Sequence, residues 1–111
     1  MAKIETVGIV GFGVMGAAIG LNAASCGYRV IYKELNEALV HTMYDRWVIA
    51  ALNKRVAKGK MTQPEMDQIV GMISGTANYQ DLAPCDLIIE AAVEKMDLKI
   101  QIFKDPVSYT H

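Results

Sequence analysis

A short apolar run ending in Gly-x-Gly-x-x-Gly leaves a chain few ways to fold, and residues 6–24 (TVGIVGFGVMGAAIGLNAA) carry it. Val7, Gly8, Ile9 and Val10 form the nearly continuous apolar segment expected of a parallel strand covered on both faces. Gly11, Gly13 and Gly16 follow at the motif spacing. In a strand–turn–helix unit the first allows the tight turn and the second lets a pyrophosphate approach bare backbone. The third lets the helix pack closely on the strand. A diphosphate seated there would meet free N–H groups at a helix N-terminus, where the macrodipole favours an anion by about 0.3–1 kcal/mol.

The flanking residues support the same unit. Gly16, Gly20 and Ala24 recur every four residues, so they share one helix face with no bulk to hold it off a sheet. Gly27 ends that helix, and residues 28–32 (YRVIY) read as a second strand. Glu34 stands 18 residues after Gly16, close to the spacing of about 20 at which an acidic side chain meets the adenosine ribose. The set predicts a dinucleotide site.

With 111 residues the chain has room for one domain and a core. Its 52% hydrophobic content and net charge of −1 argue against disorder and against a nucleic-acid footprint. Cys26 and Cys85 lack metal or C-x-x-C spacing; both lie beside apolar segments and are expected as buried thiols in a reducing cytosol. Lys3 followed by an apolar run resembles a secretory leader, but Glu5 and five glycines (8, 11, 13, 16 and 20) interrupt it. The expectation is a soluble, cytoplasmic protein with no membrane span and no metal site.

Residues 37–58 read as a long helix with Leu39, Met43, Trp47, Ala50, Ala51 and Lys54 stepping at three and four residues. Lys58-Gly59-Lys60 closes it, with glycine able to take the left-handed cap. Thr62-Gln63-Pro64-Glu65 fits a capping box that opens a second helix, with Met66, Ile69 and Val70 turned inward. A short third strand is expected at 72–76, a polar connection at 78–84 and a fourth, apolar strand at 86–90. The small residues 91–93 then lie at the strand's carboxyl end, the rim where open α/β sheets bind ligands. Asp97 is read as the cap of a final helix carrying Leu98, Ile102 and Phe103. The fold class is therefore α/β: a Rossmann-type parallel sheet of about four strands, order 3-2-1-4, with a helical pair inserted after strand 2. A sheet ending at strand 4 would expose that strand's edge and invite pairing.

Four segments in this order resemble the NAD-binding half of 3-hydroxyacyl-CoA dehydrogenases of the 3-hydroxybutyryl-CoA type. They are VGIVGFGVMGAAIG at 7–20, GYRVIYKELNE at 27–37, KGKMT at 58–62 and DLIIEAAVEKMDLKIQIFK at 86–104. The resemblance implies NAD as cofactor and a 3-hydroxyacyl-CoA as substrate. It implies that Gly11, Phe12, Gly13, Val14, Met15 and Gly16 surround the pyrophosphate. Glu34, where the family usually has aspartate, would accept the ribose hydroxyls and repel a 2′-phosphate, although Lys33 beside it softens that preference. Ala92, Glu94 and Lys99 would lie toward the nicotinamide end, and Lys58, within a basic cluster of Lys54, Arg55 and Lys60, would meet the CoA portion. At the position where the family often has serine this chain has Ala51.

The family's catalytic histidine–glutamate pair and its serine and asparagine fall beyond the last residue here, and neither His41 nor His111 replaces them. The resemblance thus implies an inactive piece of a homodimeric enzyme: an incomplete NAD-binding domain at 1–106. Residues 107–111 (VSYTH) match one reading frame of a common sequencing adapter and are expected to be a non-native tail. Two other readings fit the same residues. One is a β-hydroxyacid dehydrogenase of the hydroxyisobutyrate or 6-phosphogluconate kind, against which Glu34 and the segment 90–99 argue; the other is a non-catalytic nucleotide-binding module.

Overall fold

The computed structural model describes residues 3–92, 97–102 and 109–110. β1 (Thr6–Val10) leads through the glycine turn into α1 (Val14–Ser25), and β2 (Arg29–Lys33) follows. α2 (Glu37–Met43), a π-helical segment (Tyr44–Ile49) and α3 (Ala50–Ala57) form one unbroken helical stretch. α4 (Gln63–Met72), β3 (Ile73–Thr76), a 3₁₀ turn (Tyr79–Leu82), β4 (Leu87–Ala92), β5 (Asp97–Ile102) and β6 (Tyr109–Thr110) complete the order. The sheet runs β3-β2-β1-β4-β5-β6, and its first four strands are parallel in the expected 3-2-1-4 order.

Among the described residues the parallel strands bury one face well, whereas the opposite face, expected to be covered too, is only partly so, with Ile31 and Ile88 half-buried and Ser74 exposed. Val30 and Tyr32 of β2 are fully buried and, with Val7 and Ile9 of β1, join one hydrophobic cluster with Ala17, Leu21 and Ala24 of α1. Gly20 lets α1 settle on that layer, since a Cβ there would lie 2.9 Å from the Phe12 ring and 3.1 Å from Ile9. Thr62 caps α4 by accepting the Glu65 N–H, and Glu65 accepts the Thr62 N–H at 2.9 Å, the reciprocal arrangement its sequence predicts. Met66 and Ile69 are buried and Val70 half-buried, as their spacing requires.

Residues 37–57 are helical as expected, but the buried line is displaced. Val40, Val48 and Leu52 are the buried positions, whereas Met43 and Trp47 are half-buried and Ala50 and Lys54 exposed. Each buried position follows an expected one (Leu39, Trp47, Ala51) by one residue, and the offset is already present at Val40, ahead of the π-helical segment, so the expected stripe flanks the buried line. Trp47 Nε1 sits buried there with no hydrogen-bond partner among the described residues. Cys85 is buried as expected, but Cys26, at the C-terminal end of α1, is exposed.

The expected final helix is instead strand β5, antiparallel to β4 with Glu90 opposite Lys99 and Ile89 opposite Ile100. The reason lies in the residues Asp-Leu-Lys-Ile-Gln-Ile, which alternate polar and apolar at period two. Leu98 and Ile102 are also four apart, so the same letters fit a helix turn. β5 covers the β4 edge that the sequence reading leaves open, and Tyr109 and Thr110 add a further antiparallel pair beside Gln101 and Ile100. Phe103, expected on that helix, lies outside the described residues.

Candidate functional site

The carboxyl ends of β1, β2 and β4 meet at the glycine turn. Gly11 takes φ +90° and donates its N–H to the Lys33 carbonyl at 2.9 Å, extending the β1–β2 ladder by one residue. Any side chain at this φ is strained, and a Cβ would lie 2.8 Å from the Ala91 carbonyl oxygen. Gly13 caps α1 in extended conformation and has no side chain to bond the helix end. The first helical bond runs from the Ala17 N–H to the Gly13 carbonyl at 2.8 Å, so Val14, Met15 and Gly16 supply the leading N–H groups of the helix. A Cβ on Gly16 would fall 2.0 Å from the Gly11 carbonyl oxygen, which makes this contact backbone against backbone.

Glu34 follows directly from β2. Its N–H donates to the Thr76 carbonyl at 3.0 Å, and its carboxylate Oε2 accepts the Phe12 N–H at 2.7 Å. The predicted ribose carboxylate therefore reaches the predicted phosphate loop. Lys33 Nζ donates to the Glu34 carbonyl oxygen at 3.3 Å and lies 4.5 Å from the centroid of the Tyr79 ring.

Phe12 plays a different part from the one its place in the motif suggests. Its side chain is fully buried and stacks on Tyr32, centroids 3.9 Å apart and planes 13° off parallel. Its N–H is taken by Glu34. Phe12 is thus the floor of the loop rather than a lining side chain. Tyr32 donates its hydroxyl to the Val40 carbonyl at 2.6 Å. Burial, followed by Tyr44 and Glu34, raises its phenol far above the ordinary range and keeps it protonated. Burial and the neighbouring Asp86 likewise push the Cys85 thiol up to about 11, so it is no nucleophile near neutral pH.

The other sequence-predicted residues are spread more widely. Ala92 ends β4 at the rim, whereas Lys99 is exposed on β5 opposite Glu90 rather than on a helix. Glu94 lies outside the described residues. Lys58 is exposed at the end of α3, where Gly59 takes φ +72° and donates to the Val56 carbonyl at 3.0 Å. Lys54, Arg55 and Lys60 are exposed around it, and His41 is exposed on α2. Sequence reasoning missed the support behind Glu34. Thr76 donates its hydroxyl to the Asp81 carboxylate, and the Asn78 N–H donates back to Thr76 Oγ1 at 3.1 Å. The Thr, Asn and Asp of that connection were its only local signal.

The donor set fits a dinucleotide: leading helix amides for an anion, a turn held to the helix by the close Gly11–Gly16 backbone contact, and one carboxylate beside it for hydroxyls. Residues 6–110 match the family model described as 3-hydroxyacyl-CoA dehydrogenase, NAD binding domain. The chain belongs to this family. Members similar to it include the glyoxysomal fatty acid beta-oxidation multifunctional protein MFP-a of Cucumis sativus, 37% identical over 96% of this chain and 15% of the relative. A 3-hydroxybutyryl-CoA dehydrogenase of Mycobacterium tuberculosis is 36% identical over 92% of this chain and 35% of its own length. Among solved structures, the (S)-3-hydroxybutyryl-CoA dehydrogenase PaaH1 of Ralstonia eutropha superposes with a TM-score of 0.77 at 34% identity. That superposition covers 83% of this chain and 32% of that one. This member of the 3-hydroxyacyl-CoA dehydrogenase family thus spans about a third or less of the length of these relatives. Among the described residues no helix is long and apolar enough to cross a membrane.

Proposed function

We propose that this chain is the NAD-binding portion of an enzyme that oxidises the 3-hydroxyl of an acyl-CoA to a 3-ketone. The observation that carries the proposal is the Glu34 carboxylate, held at the glycine turn through the Phe12 N–H beside a helix whose N-cap, Gly13, has no side chain to occupy its leading amides. NAD, when bound, supplies the hydride acceptor. The leading amides of α1 (Val14, Met15, Gly16) take the diphosphate, and Gly11 and Gly13 leave room for it. Glu34 accepts the ribose hydroxyls and repels a 2′-phosphate, favouring NAD over NADP. Ala92 ends β4 on the far side of β1 from Glu34, and Lys58 offers a cation to the CoA portion of the substrate.

The relatives named as 3-hydroxybutyryl-CoA dehydrogenases support a 3-hydroxyacyl-CoA substrate. We place the protein in the cytoplasm and assign it a homodimeric full-length form. Among the described residues no pair of side chains at the turn can shuttle a proton, so this chain alone is expected to bind NAD and to leave acetoacetyl-CoA and NADH unreacted. Fluorescence titration with NADH tests the reading. Glu34→Ala is expected to weaken binding about tenfold or more, since hydrogen bonds to charged groups contribute ~1.5–3 kcal/mol. Equal affinity in the variant, or turnover by the unaltered chain, would overturn it.

A further inference from the structure

The end of β2 places two opposite charges side by side, Lys33 and Glu34, where only the carboxylate suits a ribose with free hydroxyls. A lysine carries its charge on a flexible stem and can reach a neighbouring phosphate or carboxylate. In this fold its ammonium is held elsewhere. Lys33 Nζ lies 4.5 Å from the centroid of the Tyr79 ring and donates at 3.3 Å to the main-chain oxygen of Glu34, not to its carboxylate.

Tyr79 reaches this position from the 3₁₀ turn after β3. The Thr76–Asp81 hydrogen bond and the Asn78 N–H to Thr76 Oγ1 bond fix the start of that turn, and Thr76 also accepts the Glu34 N–H. The ring and the carboxylate therefore share one support. Tyr79 is 60% exposed, so its side chain contributes little to the core.

We propose that Tyr79 is a specificity-determining residue: its ring holds the Lys33 ammonium away from the Glu34 carboxylate and so keeps the ribose site selective for NAD over NADP. The inference rests on the nucleotide-binding reading above and deepens it. With the ring removed, the freed ammonium can neutralise Glu34 or meet a 2′-phosphate, and both effects favour NADP.

The test uses the whole chain with NADH and NADPH titrated separately by fluorescence. Tyr79→Leu is expected to shift the affinity ratio toward NADPH by up to about fivefold, the size of one exposed cation–π contact. Tyr79→Phe keeps the ring and should keep the wild-type ratio. Adding Lys33→Met to Tyr79→Leu should abolish the shift. In parallel, the Lys33 ε-methylene protons should show an upfield ring-current displacement in the wild type that Tyr79→Leu removes, a readout that needs no nucleotide. An unmoved ratio in Tyr79→Leu overturns the proposal alone, as does a wild-type spectrum without the displacement. A wild-type chain that binds neither nucleotide overturns the functional reading and this proposal together.

Discussion

At the amino end of β1, Asp86 accepts the N–H groups of Glu5 and Thr6 at 2.9 and 3.0 Å; at the carboxyl end, Glu34 accepts the N–H of Phe12 at 2.7 Å. Both acids span the same strand from a neighbouring one, yet their settings differ. Asp86 is buried, and its own N–H donates to the Thr6 carbonyl at 2.8 Å, so β1 and β4 are laced together there. Glu34 is half-buried at the rim, with one recorded bond on its carboxylate among the described residues. One acid is consumed by the fold. The other keeps acceptor capacity at the carboxyl end of the sheet, the rim at which open α/β sheets take their ligands.

Substitutions separate the two ends. Asp86→Ala is expected to cause the largest loss of stability, about 3 kcal/mol, because it strands two main-chain donors that a charged acceptor satisfied. Urea denaturation measures it, and NADH affinity of the folded fraction should hold; a drop in affinity instead would erase the distinction. Gly16→Ala strikes the carboxyl end through its backbone. With a Cβ 2.0 Å from the Gly11 oxygen, the turn must shift, at about 2 kcal/mol and with loss of NADH binding in the same titration. Glu34→Ala should cost less than about 1 kcal/mol in urea, since water can reach the released Phe12 N–H, while nucleotide affinity falls. A stability loss equal to that of Asp86→Ala would make both acids structural.

A third acid extends the series to full exposure. Glu65 accepts the Thr62 N–H at 2.9 Å, and the Thr62 main-chain and hydroxyl bonds hold its carboxyl below the ordinary glutamate range. A pKa lowered on folding adds stability that is complete above the unfolded value and fades as pH falls through the folded one. Thermal melts of the wild type should therefore lose more than those of Glu65→Gln between neutral pH and pH ~3, the smallest effect of the four. Parallel curves would remove Glu65 from the comparison.

What could be read from the residues follows the same line between local and distant causes. The turn, α1 and the capping box at Thr62 are set by neighbours in sequence and form as their spacing predicts; the parallel order of four strands also forms as expected, although its pairings join residues as far apart as Val7 and Leu87. The buried line Val40, Val48, Leu52 lies one position from the expected one because neighbouring positions are apolar too, and only packing against the sheet chooses between the two stripes. β5 was read as a helix because residues 97–102 satisfy both periods, and the open β4 edge decides between them only in three dimensions. Cys26 and Cys85 look alike in composition, yet one sits at a helix end and the other behind β4. The meeting of Lys33 with Tyr79 depends on two strands and a turn coming together, so no short-range pattern could announce it. Spacing singles out Glu34, but not the Phe12 N–H that its carboxylate accepts, since the motif draws attention to the glycines.

The stacked rings beneath the turn have one more consequence. Phe12 is pinned twice, by its ring against Tyr32 and by its amide on Glu34. The turn is preorganised, so a dinucleotide arriving there forfeits little of the loop's conformational entropy. The Phe12 amide should accordingly resist deuterium exchange before any nucleotide is added.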